Sequence, residues 1–578
     1  MGFTPYEGSR VVVIYYFISL PLHFWYIFFI LLSMNVAEIM SSTAPYRTQS
    51  GLTPYTGPWT QAELVHLLRR TMFGVKGSDL SYFTGRSMNQ VVDELLTPTA
   101  AAPALPIKEY RIAATPGVNP DANIAQGATW VNDINNDGTV QSFRRSSIKK
   151  WLTGNMINQD RSVLEKMIMF WTDHFGNEAA DIGYGNWIYT QHQLIRQLAL
   201  GNFRTMVTNI TTDVAMLRYL NGYLNNATAP DENYARELFE LFTLGKGPDS
   251  AYTEADVKEA AKVLTGWTIN FATYQPVFTS SRHSTVNKTF SSFFNNTVIT
   301  GRTGTTAGAL EISDLMAMLF AQREVAKFIA RKVYRWFVYY TIDGATEQNV
   351  ITPLADIFRD SGYEIKPMLT ALFKSEHFYD QMNRGCYIKT PADLVIGSLR
   401  EMNVTFAPAR DWDTNYGLWN TFYSWMSNLG QNLYDPPNVS GLPAYYQEPS
   451  FHELWITSDT LPKRNQFTDT MIATGYVRNN VRVQFNCVEW ARTLYNPGNP
   501  TDLINGAIAY LFQNTLSDVT KMQIKTQLLL TGQQWDYYWT NAWMAYESNP
   551  TTANFNIVNT RLRSLFQYLF KLSEYQLI

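Results

Sequence analysis

Two capped helical segments within Asp231–Trp267 constrain the fold of this chain more than any other feature. In the first, Asp231 is a natural N-cap, and apolar residues recur at helical spacing up to a stop signal at Gly245. In the second, Thr253 opens a capping box, and Gly266 ends the apolar run. The stretch therefore predicts a helical hairpin with a short, turn-rich linker.

Capped amphipathic segments of the same kind recur from Thr60 to Leu572, which predicts a mainly α fold. The 46% hydrophobic fraction is ample for a core, and no Pro/Gly/Ser-rich linker separates independent units. We expect one large helical domain over residues 43–578. Two aromatic-rich stretches, Thr268–Thr306 and Phe406–Thr460, lack clear helical periodicity and are predicted to be irregular insertions, the first with a small hairpin as an alternative.

Seven further segments and the hairpin, in this order along the chain, resemble the domain of unknown function 1800 family of large bacterial proteins. They are His66–Gly74, Leu164–Gly176, Ala199–Tyr223, Val325–Val338, Ser361–Phe378, Lys389–Met402 and Asp435–Gly441. The family has no assigned activity. The resemblance implies, as a partner, a sulfatase-like protein encoded by a neighbouring gene.

The chain departs from the family pattern at two positions that bear on chemistry. Many relatives resemble Trp-His-x-His-Phe where this chain has Thr172 after Trp171, and some carry a histidine where it has Phe242. A metal site that the resemblance implies through those histidines would be depleted here.

Residues 1–42 form an apolar N-terminal segment with two interpretations. Val11–Met34 has 24 residues without Asp, Glu, Lys or Arg, which is longer than the roughly 20 needed to cross a bilayer. It is a membrane anchor or a long export signal, which places the protein in the cell envelope. Alternatively, translation begins at Met34 or Met40, and the protein is then cytoplasmic.

Composition excludes some classes of partner and leaves others open. A net charge of −3 gives no reason to expect that the protein binds nucleic acid. The 14% aromatic fraction suits a polar ligand that stacks, such as a glycan, although large cores also use Tyr and Trp. Cys386 and Cys487 fit no CxxC motif and are either separate buried thiols or one disulfide.

Asp173 and His174 are the first candidate site residues, at the end of a predicted helix over Val163–Phe175. His174 falls on the apolar face of that helix, and Asp173 points about 100° away from it. A histidine at this position binds a metal or acts as a base, with Glu178 or Asp181 as oxygen ligands. The alternative is a core histidine that is hydrogen-bonded to backbone.

Glu237 and Glu240 form the second group of candidates, on the first helix of the hairpin. Two carboxylates at this spacing hold a divalent cation or work as an acid/base pair if they lie in a cleft, and otherwise form a solvated face. Because the apolar stripe of this helix is wide, we expect both glutamates to be partly buried and paired. Arg236, Arg218 and Arg331 are the expected partners.

His283 lies in the first insertion and resembles the family's His-Asp-x-x-x-Lys segment, with Ser284 in place of the aspartate. His174, Glu237 and His283 would together make a two-histidine, one-carboxylate metal site. A loop histidine is also often merely exposed. The sequence alone does not show whether the three side chains lie close together.

A rigid turn at Asp435–Asn438 precedes Tyr445, Tyr446 and Trp455, which form either a sugar-stacking platform or a loop packed on the helices. The chain has no P-loop, Rossmann glycine series, GxSxG elbow or HExxH motif. The sequence therefore supports two functions. One is a non-catalytic binding or assembly protein of the cell envelope, and the alternative is a metal-dependent hydrolase that uses the histidine and glutamate residues as a cluster.

Overall fold

Helices make up most of this protein, as the sequence predicts, because its capped segments fold where their end signals stand. The computed structural model describes residues 48–112, 120–442, 453 and 455–578. The chain from Thr48 to Ile578 forms one compact unit. The predicted anchor or signal, Val11–Met34, lies outside the described residues. Within them, every helix is too short or too polar to span a bilayer.

The helices follow one another along the chain with short connections. The first are α1 (Gln61–Thr71), α2 (Gly77–Phe83), α3 (Met88–Leu95), α4 (Gly138–Ile157), α5 (Leu164–His174), α6 (Ala179–Ile182), α7 (Gly185–Leu198), α8 (Phe203–Thr211) and α9 (Val214–Tyr219). There follow α10 (Asn233–Glu237), α11 (Glu254–Val263), α12 (Ala307–Phe320), α13 (Arg323–Phe337), α14 (Gly344–Thr346), α15 (Thr352–Asp360), α16 (Ile365–Phe373), α17 (Glu376–Tyr379), α18 (Pro391–Glu401) and α19 (Trp412–Asn428). The last are α20 (Thr460–Ala473), α21 (Cys487–Arg492), α22 (Pro500–Leu511), α23 (Asp518–Ile524), α24 (Tyr537–Ser548) and α25 (Thr552–Lys571).

Strands are short and occur as antiparallel pairs. The pairs are β1 (Trp267–Asn270) with β2 (Gln275–Phe278), β3 (Lys288–Thr289) with β4 (Val298–Ile299), and β5 (Tyr476–Arg478) with β6 (Val481–Val483). Apart from Trp267, the first two pairs lie in the insertion predicted over Thr268–Thr306, so that segment takes its hairpin alternative. Turns of π-helix occur at Leu238–Thr243, Glu347–Ile351 and Lys525–Leu529.

The second predicted insertion, Phe406–Thr460, differs from expectation because it contains the 17-residue helix α19. Six of the 17 residues of α19 are aromatic, and aromatic residues are mediocre helix formers, so its composition hides the helix. Tertiary packing supplies the missing stability: the Trp419 ring lies so close to Gly154 of α4 that a Cβ there would approach it to 2.7 Å.

Helix α18 is the centre of the fold, since all 11 of its residues are buried. A helix buried on every side must pair its own charges with other elements. Asp393 forms an ion pair with Lys166 of α5. Arg400 contacts Asp79 of α2 at 3.2 Å. The third charge of α18, Glu401, binds groups from α1 and from the C-terminal end of the chain.

Glu401 joins both ends of the described chain to α18. Arg69 of α1 lies 3.1 Å from it, and the hydroxyl of Tyr575 donates a hydrogen bond to it at 3.0 Å.

Both cysteines are free thiols, Cys386 partly exposed and Cys487 buried, so the disulfide alternative is wrong.

Gly74 and Gly85 offer a matched test of how closely α1 approaches α18. Both have positive φ, +69° and +83°. A Cβ on Gly74 would lie 2.5 Å from the carbonyl oxygen of Gly397 in α18, whereas one on Gly85 would meet nothing within 4 Å. We expect Gly85→Ala to cost only the roughly 1–2 kcal/mol of its backbone conformation. Gly74→Ala should cost roughly 1–3 kcal/mol more, from overpacking.

The measurement is the apparent melting temperature of both variants beside the wild type. Equal losses would show that α1 does not depend on this contact.

Candidate functional site

An open cleft with a cavity volume of about 50 Å³ lies at the C-terminal end of α5. Its described walls come from α5, α13, the segment before α18 and the loop after α19. The aromatic part of the described lining consists of Trp336, Tyr387, Tyr434 and Trp455. The polar part consists of Thr172, Asp173, Asn177, Thr390, Gln431 and Asn432. Such a mixture of rings and a few polar groups is typical of sites for small ligands.

Neighbouring side chains fix the aromatic walls in place. The guanidinium of Arg70 lies 5.1 Å from the ring centroid of Tyr387. The hydroxyl of Tyr434 is 3.4 Å from Nδ1 of His192. The ring of Trp336 meets Phe170 edge-on at 5.6 Å. The rings are thus preorganised, so little entropy would be lost when a ligand binds.

Several polar atoms of the lining have no strong partner among the described residues. The Tyr387 hydroxyl makes no hydrogen bond with a described residue. Nε2 of Gln431 reaches, among those residues, only Sδ of Met169 at 3.9 Å. Oδ1 of Asn177 and Nε1 of Trp336 are likewise buried without a described partner. Each unpaired buried polar atom costs about 1–3 kcal/mol. A polar occupant, water or ligand, would offset that cost.

Asp173 is the carboxylate of this lining. The backbone N–H of Leu442 donates to its Oδ1. That approach depends on Gly441, where φ is +88° and a Cβ would come within 2.3 Å of the Asp173 carbonyl oxygen. Burial raises the pKa of Asp173 above its ordinary value, and the charge of Lys332 opposes this shift. The group is therefore a carboxyl that holds its proton more firmly than one in water.

His174 is a core histidine that is bonded to backbone, the alternative to a metal ligand. The ammonium of Lys332 lies 3.0 Å from Nδ1 and donates to it. Nε2 therefore carries the ring hydrogen and donates to the carbonyl of Phe242 at 3.1 Å. Burial, and then the charge of Lys332, lowers the pKa of His174 well below its usual value. The ring stays neutral at physiological pH.

Glu237 and Glu240 are both partly buried, as the sequence predicts, but they do not pair with the predicted arginines. Glu240 pairs with Lys246, a largely exposed lysine. Glu237 is half-buried and has no hydrogen bond or ion pair with a described residue. Burial, and then repulsion from Glu240, raises the pKa of Glu237 to about 7.

The arginines predicted as partners of these glutamates bind other groups. Arg236 pairs with Glu232 at 3.1 Å and with Glu254 at 2.7 Å. Arg331 pairs with Glu324 and Glu347. Arg218 donates to the hydroxyl of Tyr223. The prediction of these pairs was wrong because each arginine is bound by a different partner.

His283 is buried in the first insertion and is not an exposed loop residue. Its Nε2 lies 3.1 Å from Oε1 of Glu311. Its Nδ1 lies 2.9 Å from the carbonyl of Thr265. Lys288 forms an ion pair with the same Glu311. This network closes the insertion against α12 and holds the two hairpins in place.

The structure does not assemble the predicted metal site. His174, Glu237 and His283 share no hydrogen-bond partner among the described residues. Within the described ranges, no group of three or more His, Cys, Asp or Glu side chains has the arrangement of a metal site. The remaining candidate with access to a cleft is Asp173.

Sequence reasoning missed most of the residues that build the cleft. Lys332 looks like one solvated charge on an amphipathic helix, and Tyr387 like one aromatic residue in a connector. The only signal for the cleft was the rigid turn at Asp435–Asn438 with the aromatic residues after it. Trp455 does line the cleft. Tyr445 and Tyr446 lie outside the described residues.

Comparison with known proteins gives a family and no closer relative. The family model described as "Protein of unknown function (DUF1800)" matches residues 66–577. No curated protein and no solved structure matches the chain. The predicted resemblance is therefore confirmed over nearly the whole chain, and an activity does not come with it.

The raised pKa of Glu237 gives a test with a definite sign. Its folded value of about 7 exceeds the ordinary 4.5. Protonated Glu237 therefore adds stability at low pH, and this contribution is lost as pH rises through about 7. Glu237→Gln cannot ionise, so we expect it to raise the apparent melting temperature at pH 8 by about 1–2 °C. At pH 5 the variant and the wild type should have nearly the same melting temperature.

Glu240→Gln is the matched control. It removes one pair with an exposed lysine, which contributes about 0–1 kcal/mol, so a small loss at both pH values is expected. A Glu237→Gln variant that melts below wild type at pH 8 would mean that the carboxylate has a stabilising partner after all.

Proposed function

The chain belongs to the DUF1800 family of proteins of unknown function, and we propose that it is a binding or assembly protein of the bacterial cell envelope. Its ligand in this proposal is a sugar unit of a glycan, held in the cleft at the end of α5. The observation that carries the proposal is the lining of this cleft, in which aromatic rings surround polar atoms that lack strong partners among the described residues.

A sugar complements this lining in two ways. The C–H faces of its ring are apolar and pack on aromatic side chains such as Trp336 and Trp455. Each of its hydroxyls both donates and accepts hydrogen bonds. The lining presents a carboxyl group at Asp173, an amide group at Gln431 and a hydroxyl at Tyr387. A purely apolar ligand would leave these groups unsatisfied, and that would cost affinity.

Placement in the cell envelope rests on the sequence of Val11–Met34, which has the length and the lack of charge of an anchor or export signal. The association with a sulfatase-like protein stays a prediction of the family resemblance. The hydrolase alternative has weaker support, because His174 and His283 are engaged by protein partners.

Tyr387→Phe tests the cleft directly. The substitution removes a hydroxyl that has no hydrogen bond among the described residues and keeps the ring, so the fold should be unaffected. We expect the full-length wild type to bind members of a panel of neutral, amino and acidic oligosaccharides in titration calorimetry. Tyr387→Phe should weaken binding about 3- to 10-fold, the effect of one lost hydrogen bond.

Tyr495→Phe is the control, because Tyr495 is 86% exposed and does not line the cleft. It should bind like the wild type. If no oligosaccharide of the panel binds, or if Tyr387→Phe binds every ligand at wild-type affinity, the cleft is not a sugar site.

A further inference from the structure

Resting on the proposed function, we infer that Asp173 sets the specificity of the cleft and that the sugar it selects carries a protonated amine. The charge of the lining is the first reason. Asp173 is the one ionisable carboxylate among the described lining residues, and no Lys or Arg side chain is among them. A ligand that enters therefore meets a carboxyl group and, among the described lining residues, no Lys or Arg side chain.

Two carboxylates beside the cleft are already neutralised by ion pairs. Asp393, close to Thr390 of the lining, forms an ion pair with Lys166. Asp435, next to Pro436 of the lining, forms one with Lys149. Asp173 has no ion pair with a described residue and accepts one backbone N–H, that of Leu442. It thus retains capacity for a charged donor.

Lys332 is the nearest cation, and its geometry leaves Asp173 available. Its ammonium is directed to Nδ1 of His174 at 3.0 Å. Burial lowers the pKa of Lys332, the charge of Asp173 raises it again, and Arg335 lowers it. Lys332 therefore attracts Asp173 from a distance without saturating it. A ligand ammonium that contacts Asp173 directly would gain a charge-assisted hydrogen bond.

The aromatic walls favour the same class of ligand. The π faces of Trp and Tyr rings attract cations, and cages of such rings are the usual site for ammonium groups. Trp336, Tyr387, Tyr434 and Trp455 line the same space as Asp173. An acidic sugar would face repulsion from Asp173 and from the ring faces. A neutral sugar would gain neither the charge-assisted hydrogen bond to Asp173 nor the attraction of the rings for a cation.

Four probes separate this inference from the proposed function. They are an oligosaccharide of glucosamine, its N-acetylated counterpart, an oligosaccharide of galacturonate, and tetramethylammonium without a sugar. We expect the wild type to bind the glucosamine probe about tenfold more tightly than the acetylated one, and the galacturonate probe most weakly. Asp173→Asn should bring the first two affinities to within about twofold.

Asp173→Asn keeps an acceptor for the N–H of Leu442, so the loop should remain in place. Asp181→Asn is the matched control, since Asp181 is exposed on α6, and it should preserve the preference for the amine. A second measurement needs no variant. Titration of the wild type at pH 6 in two buffers of different ionisation enthalpy should show proton release on binding the glucosamine probe, because Asp173 must ionise to receive the ammonium.

The outcomes are distinct. Equal binding of all three oligosaccharides, unchanged in Asp173→Asn and without proton release, would overturn the inference and leave the sugar site standing. Binding of tetramethylammonium alone, lost in Asp173→Asn, would overturn the sugar function and keep the cation specificity. Failure of all four probes to bind would overturn both.

Discussion

Burial of α18 on every side is the constraint on which the rest of the structure depends. Its three charged side chains, Asp393, Arg400 and Glu401, lie where water does not compensate them, so each requires a partner from another element. The partners come from α5, α2, α1 and the C-terminal end of the chain. Removing one partner of a buried pair typically costs about 3–5 kcal/mol. These pairs therefore fix which helices surround α18, while apolar burial supplies most of the stability.

Helix α5 carries this constraint to the cleft. Lys166 anchors it to α18, and one to two turns later Trp171 donates its indole N–H to the carbonyl of Ala199 at 3.0 Å. The next residues point to different places. Asp173 enters the cleft, and His174 bonds to the π-helical turn at Phe242. The cleft and the family's signature hairpin are thus positioned by adjacent residues of one helix.

Local signals predicted the fold better than they predicted the site. The capping box predicted at Thr253 forms, because the residues of such a cap lie within four positions of one another. The contact of Lys332 with His174 joins helices far apart in the chain, and no spacing rule encodes it. Helix α19 was missed for a related reason, since its stability comes from packing against α4 and not from propensity.

The two departures from the family pattern acquire a physical meaning from these positions. Thr172 lines the cleft beside Asp173. Phe242 is fully buried and packs its ring 5.4 Å from that of Phe175 and 6.1 Å from His174. A histidine in place of Thr172 would face the cleft, whereas one in place of Phe242 would enter the aromatic cluster around His174. The two positions therefore lie in different environments. In this chain, Thr172 forms part of the cleft wall and Phe242 forms part of the core.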